Sequence, residues 1–401
     1  MSRTLTALPR PRDVLREFGL YVHVPFCSHR CWYCDFNAYA GLDELADAYM
    51  AALVRDAELA LSAPAGADLR SRPPVTSVFV GGGTPSLVDA RWIHALLDAI
   101  RSAWPLLPDA EITIECNPES TTVAKLESYL AAGVNRISFG VQSLDDELLR
   151  RLGRLHDSRH ALDALELARR AGFTDRNADL IFGVPGEDDD RWGRSLDGVL
   201  RLEPTHVSCY ALTYEEGTPL HAWRRLGKVV PVADDDAARR WEAAERVLGA
   251  AGLERYEISN WSKPGKASRH NSLYWACGEY LGIGAGAHSH LSVPGGSIRS
   301  WVAKAPQRYI DEVTAGRRPV AGMESVEARG RAAEAMFLGL RRTAGVEGAV
   351  FRALTGQDLG ERFGGELSVA ASEGLISWDG DTARLTTRGT LLADDVLLRF
   401  V

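Results

Sequence analysis

Apolar and polar positions follow two rhythms along this chain. Leu20 to Val24 is a short apolar stretch that predicts a strand, and Leu42 to Ser62 predicts a helix, with apolar residues at the 3.6-residue period. The pattern then predicts strand Thr76–Val80, helix Val88–Ser102, strand Glu111–Glu115, helix Ser120–Ala132 and strand Asn135–Phe139. It continues with helix Ser158–Ala171, strand Asn177–Phe182, helix Asp190–Arg201 and strand His206–Ala211. Helix Ala233–Ala251 and strand Arg255–Ile258 are expected as a last pair. Strands alternating with helices predict right-handed βαβ units on a parallel sheet. Six or more such units predict an α/β fold built on an incomplete (β/α) barrel. Its site is expected at the C-terminal strand ends.

From about Ser300 the rhythm changes. Helical segments Ser325–Arg341 and Gly364–Glu373 precede an apolar run, Gly374–Trp378, a turn at Asp379-Gly380-Asp381 and a second short run, Ala383–Thr386. Helices followed by one small hairpin predict a winged-helix-like unit. The expected division is a tail over 1–19, a barrel over 20–299 and a C-terminal unit over 300–401. Ser325 to Val401 holds nine Arg, no Lys and eleven acidic residues, so it has no positive face for phosphates. It reads as a packing unit or a lid, not a DNA-binding domain.

Composition narrows the class. The 401 residues are 45% hydrophobic and 25% charged, with net charge −8, so there is no electrostatic footprint for nucleic acid. No apolar run approaches the ~20 residues of a membrane span. Six cysteines are too few for a disulfide scaffold in a chain this long. Cys116, Cys209 and Cys277 stand singly and read as buried thiols, which fits a reducing, cytoplasmic setting. The first nineteen residues carry Arg3, Arg10, Arg12 and Arg16 without an apolar core, which reads against a secretory signal. They are Arg-rich and acid-poor, as mitochondrial transit segments are; a short tail is the simpler reading.

The chemistry centres on Cys27-Ser28-His29-Arg30-Cys31-Trp32-Tyr33-Cys34-Asp35-Phe36. Thiolates suit iron–sulfur clusters or zinc. Zinc usually takes two close ligand pairs, and no second pair follows here. Three cysteines at C-x3-C-x2-C would leave one iron of a [4Fe–4S] cube open to an outside ligand. Gly81-Gly82-Gly83-Thr84-Pro85 follows a strand directly, where consecutive glycines let backbone approach a ligand. It could equally be a tight turn. Glu115 ends its strand and could accept from an amine or ribose, or could favour the dipole of the next helix. Gln142 stands beyond a strand, where its amide could both donate and accept. Arg154 could pair with a carboxylate or lie on a solvated helix face with Arg150 and Arg151. Asp179 lies within a strand and needs a partner if buried.

The cysteine spacing, with an aromatic before the third cysteine, resembles the radical S-adenosylmethionine (SAM) superfamily. Within it, "YVHVPFCSHRCWYCDF" and "VFVGGGTPSL" are similar to the oxygen-independent coproporphyrinogen III oxidase family, from about Tyr21 to the C-terminus. The resemblance implies a six-unit partial barrel with a [4Fe–4S] cluster on Cys27, Cys31 and Cys34. It implies SAM contacts at Tyr21, Gly82, Gly83, Thr84, Glu115, Gln142, Arg154 and Asp179. The strand period puts Tyr21 and His23 on one face. The oxidases proper carry a further cysteine two positions after the third; here that position is Phe36. With the short N-terminal extension, Phe36 resembles the haem-chaperone (HemW-type) branch. His270-Asn271-Ser272-Leu273-Tyr274-Trp275 is similar to that branch's H-N-x-x-Y-W motif. His270, Asn271, Tyr274 and Trp275 are therefore expected to contact haem, although a hydrogen-bonded loop histidine beside two core aromatics is the blander reading. His288 and His290, in the glycine-rich segment Gly282–His290, are second choices for the iron ligand. The implied function is haem transfer to an acceptor haem protein, with a one-electron donor as a further partner. Coproporphyrinogen III oxidation and a cluster-sensing regulator are the rival expectations.

Overall fold

In the computed structural model, residues 17–62, 69 and 72–401 are described, and twelve strands form one sheet. The chain supplies β1 Phe18–Val24, β2 Val75–Gly82, β3 Leu106–Cys116, β4 Arg136–Gln142, β5 Asp175–Phe182 and β6 His206–Ala211. These six are parallel neighbours in sequence order. Six more strands follow: β7 Glu254–Glu257, β8 Asn260–Ser262, β9 Glu279–Ile283, β10 His288–Val293, β11 Gly296–Val302 and β12 Val320–Val326. The sheet order is β12-β11-β10-β9-β1-β2-β3-β4-β5-β6-β8-β7. The result is a partial (β/α)6 barrel extended at both edges.

Period-two alternation builds it. Leu20, Val22 and Val24 of β1, Ile112 and Ile114 of β3, and Ile137, Phe139 and Val141 of β4 are buried in one apolar core. Each such side chain contributes about 1.5–3 kcal/mol of burial free energy. The alternate positions are polar: Tyr21 and His23, Thr113 and Glu115, Ser138, Asn177 and Asp179, His206 and Ser208. By the strand period they share the inner face. The Tyr21 hydroxyl lies 2.9 Å from His23 Nδ1, as expected for one face. Side-chain caps start most of the barrel helices, though not Ala46–Leu59 or Asp234–Ala250. Asp157 accepts from the His160 amide at 2.9 Å to open helix Ser158–Ala171, which ends at Gly172 in the left-handed conformation.

Two expectations change, and one segment without an assigned element is placed. Helix Asp234–Ala250 forms, but β7 is not a further parallel neighbour: β8 lies between β6 and β7, antiparallel to both. Only Ile258 and Ser259 link β7 to β8, a hairpin length that cannot make a parallel crossover. Gly282–His290 is largely strand, because β9 pairs with β1 and β10 folds back on β9. A Cβ on Gly282 would stand 2.2 Å from the His288 carbonyl oxygen, which explains a glycine there. The change of rhythm at residue 300 falls inside β11. Antiparallel pairing has already begun at β8, and the sheet continues to Val326.

A second apolar core begins at Ala332 and includes Met336, Phe351, Phe363, Leu367 and Phe400. Its order is helix Ala328–Gly339, strand Val346–Glu347, helices Gly348–Thr355 and Leu359–Ser372, then hairpin Ile376–Trp378 and Thr382–Leu385. This is winged-helix-like. It meets the barrel through the Thr343 amide on the Tyr256 carbonyl at 3.0 Å and Arg331 on the Gly296 carbonyl at 2.7 Å. Most of the expected tail, residues 1–16, lies outside the described residues. Among those residues no helix is long and apolar enough to cross a membrane.

Candidate cluster and cofactor site

The cysteine loop leaves the C-terminal end of β1 and docks across the barrel mouth. The Trp32 amide donates to the Leu152 carbonyl at 3.0 Å, and the Trp32 carbonyl accepts from the Leu220 amide at 3.0 Å. The Trp32 ring fills the space above Gly153, where a Cβ would lie 2.8 Å from it. Gly83 lies against the backbone of the same loop; its Cβ would stand 2.6 Å from the Phe26 carbonyl oxygen. The loop, the glycine turn and the helix after β4 therefore lock together.

Under this loop lies a cavity of about 410 Å³. It is lined by Cys27, Cys31 and Cys34, by Gly82, Gly83 and Thr84, and by Glu115, Gln142, Arg154 and Asp179. Every residue expected at the cluster or SAM lines this one cavity except Tyr21. Tyr21 lines an adjoining chamber of about 340 Å³ that shares Phe36, Gly82 and Glu115 with the first. Phe36 is 61% exposed, at the rim of both.

The donors are arranged, not merely near. Asp179 accepts from Ser138 Oγ at 2.9 Å and from Asn177 Nδ2 at 2.8 Å. Glu115 accepts from the Gly82 amide at 3.0 Å. Arg154 Nη2 donates to Asn117 Oδ1 at 2.7 Å and to the Gly140 carbonyl at 2.9 Å, while Nη1 lies 3.5 Å from Cys31 Sγ. Its Nε is buried without a partner. Thr84 Oγ1 lies 3.5 Å from Cys27 Sγ. Gln142 has φ of +65°, a left-handed conformation that is costly for a non-glycine residue.

Sequence reasoning missed Asn117, Ser138, Asn177 and Tyr210. The signal was available for two of them: Ser138 shares the period-two face of Gly140 and Gln142, and Asn177 that of Asp179.

The expected haem motif is placed otherwise. Helix Arg269–Trp275 closes the bottom of the barrel, the end opposite the cysteine loop. Glu111 accepts from the Arg269 amide at 2.9 Å and the His270 amide at 3.1 Å, holding the helix start. His270 is 1% exposed. Its Nδ1 lies 2.9 Å from Ser77 Oγ and its Nε2 2.8 Å from the Tyr274 hydroxyl, so no ring nitrogen is free for iron. Burial pushes it down to about 3, which keeps it neutral. Trp275 stacks under the Arg341 guanidinium at 4.9 Å and joins the barrel to the C-terminal unit. Asn271 lines neither chamber; of the four, only Tyr274 reaches the second.

Residues 21–197 match the Radical SAM superfamily and residues 326–392 the HemN C-terminal domain. The chain is 41% identical over 385 residues to heme chaperone HemW of Mycobacterium tuberculosis, covering 95% of this chain and 94% of that one. It is 34% identical over 382 residues to heme chaperone HemW of Bacillus subtilis, covering 95% and 98%. The chain belongs to the HemW-type branch of the radical SAM family. The fold is also that of coproporphyrinogen III oxidase (HemN) from Escherichia coli, with TM-score 0.80 and 22% identity over 96% of this chain and 90% of that one.

Membership of this HemW-type branch implies a [4Fe–4S] cluster and SAM, and the cavity fits both. Burial lifts the Cys27 thiol, and lifts Cys34 to about 11. Cationic iron, when bound, would offset that burial and hold them as thiolates. Each would bind a different iron of a cube, so the sulfurs need not converge on one point. Glu115 is pushed up to about 8, by burial first and then by the Asp179 carboxylate. Burial raises Asp179 too, against donors from Ser208, Asn177 and Ser138. Two carboxyls short of positive charge are suited to an ammonium, a sulfonium and ribose hydroxyls.

Proposed function

We propose that this chain is a haem chaperone, which carries one [4Fe–4S] cluster on Cys27, Cys31 and Cys34, binds SAM, holds haem and passes it to an acceptor haem protein. The observation that carries this reading is the likeness over 95% of the chain to relatives named heme chaperone. Phe36 supports it. An exposed apolar ring at the rim of both chambers stands where the oxidases carry a further cysteine, and it offers a flat face to a macrocycle.

The cluster, when bound, supplies an iron with an open position for the amino and carboxylate groups of SAM. This chain's own residues do the holding. Gly82 and Gly83 bring backbone close to the methionine end, and Glu115 accepts from its amine. Asp179, fixed by Ser138 and Asn177, accepts from the ribose hydroxyls. Arg154, fixed by Asn117 and beside the Cys31 sulfur, would offer positive charge to the SAM carboxylate. A one-electron donor is the expected partner of the cluster. The acidic C-terminal unit lacks the positive face a DNA-binding regulator would need.

The experiment is anaerobic incubation of the reconstituted protein with SAM, a reductant and coproporphyrinogen III, beside haemin titration of the same preparation. Haem binding without protoporphyrinogen formation is the expected result. Turnover to protoporphyrinogen would replace the chaperone reading with an oxidase.

A further inference from the structure

We propose that the second chamber is where haem sits, with His288 as its axial ligand and Lys304 pairing with a propionate. This rests on the chaperone reading and gives it a site.

The chamber of about 340 Å³ is walled by Tyr21, Phe36, Tyr274 and Tyr280, with His288 and Lys304 among its lining residues. Aromatic walls suit a large flat ring. Four histidines lie in or around it, and their hydrogen bonds and burial separate them. His23 is 5% exposed, with Nδ1 at 2.9 Å from the Tyr21 hydroxyl and Nε2 at 2.9 Å from the Asn37 carbonyl. His270 is the buried plug described above. His290 is 8% exposed, and its Nδ1 donates to the Gly278 carbonyl at 3.0 Å.

His288 differs from all three in being exposed, and from His270 and His290 in lining the chamber; His290 keeps its Nε2 unbonded among the described residues but is buried outside it. His288 is the first residue of β10, and its ring stacks on Trp301 at 5.9 Å and 26°. Among the described residues no hydrogen bond engages either ring nitrogen. Partial burial, then the charges of Lys304 and Arg299, hold its pKa below the usual histidine value. A neutral imidazole with an uncommitted lone pair is the form that binds iron. Lys304 is exposed at the same rim, and no acid pairs with it among the described residues. An ammonium there meets a propionate carboxylate through a charge-assisted hydrogen bond.

Position also favours His288. It follows the turn after β9, at the end of the barrel where β1 delivers the cysteine loop. A rim ligand lets haem leave without opening the barrel. A ligand in the bottom plug would not.

The test is haemin titration of the full chain with its cluster reconstituted, read by difference absorption, with iron content and circular dichroism as fold controls. His288→Ala is expected to shift the haem band and weaken binding by about tenfold or more, and added imidazole to restore the wild-type band. Lys304→Gln is expected to weaken binding roughly tenfold with the band unmoved. A wild-type band and wild-type affinity in His288→Ala would overturn the assignment of the ligand. Failure of the wild type to bind haemin at all would instead overturn the chaperone reading.

Discussion

Glu115 and Asp179 concentrate the site's electrostatics in two side chains. With Glu115 at about 8, the free protein at neutral pH holds it mostly protonated, whereas a bound cation needs it ionised. Binding of SAM should therefore release a proton below pH 8, and affinity should rise as pH increases from 6 to 8. Titration calorimetry in two buffers of different ionisation enthalpy measures that proton, and Glu115→Gln should abolish it. The same shift has a stability sign. The folded carboxyl keeps its proton where the unfolded one, near 4.5, has lost it, so stability of the free protein should fall between about pH 4.5 and 8 and level off above. Asp179→Ala should weaken SAM by ~1.5–3 kcal/mol, about ten- to a hundredfold, while iron content is unchanged. Unchanged affinity would show that Asp179 faces no ligand. These two acids were legible in the sequence because the strand period fixes which face a side chain takes. The residues that orient them were less so. Ser138 and Asn177 each come from the same or a neighbouring strand, and only register brings them to Asp179.

The cysteine loop and the helix Arg269–Trp275 close opposite ends of the barrel, and one contact at each can be tested by substitution. Gly153 has φ of +77° and no room for a Cβ beneath Trp32. Gly153→Ala should tilt the loop, lower iron incorporation on reconstitution and cost ~1–3 kcal/mol in denaturant melts. Intact iron loading in that variant would mean the loop seats independently of Trp32. At the other end, His270→Ala would leave Ser77 and Tyr274 without their shared partner, costing ~1–3 kcal/mol of stability. Haem binding should survive, with its absorption band unmoved. The cysteine loop could be read from sequence because its ligands are local. The role of His270 could not, since Ser77 is 193 positions away and only the closed barrel brings it within 2.9 Å. The pairing of β7 and the strands β8 to β12 were hidden for a related reason. Their partners are set by turns and by distant strands, as β9 pairs with β1, and not by a local βαβ rhythm.

The whole molecule joins one barrel, two adjoining chambers and a C-terminal unit with its own core. Trp275 against Arg341 and Thr343 against Tyr256 tie that unit to the barrel floor, away from the cysteine loop. That position favours a packing unit over a lid across the barrel mouth, the two readings its composition left open. Phe36 is where the functional character is tested at this scale. Phe36→Cys should not create decarboxylation of coproporphyrinogen III, because catalysis needs the propionates held in register, and ~1 Å of misplacement costs roughly a hundredfold. An anaerobic product assay on that variant checks this.

The central claim is transfer, and it is tested by loading the chain with haemin, removing the excess and adding an apo-haem protein while following the acceptor's absorption spectrum. The account predicts that haem leaves the chain and the acceptor's holo spectrum develops. Haem that stays with the chain, or never reaches the acceptor, would contradict it.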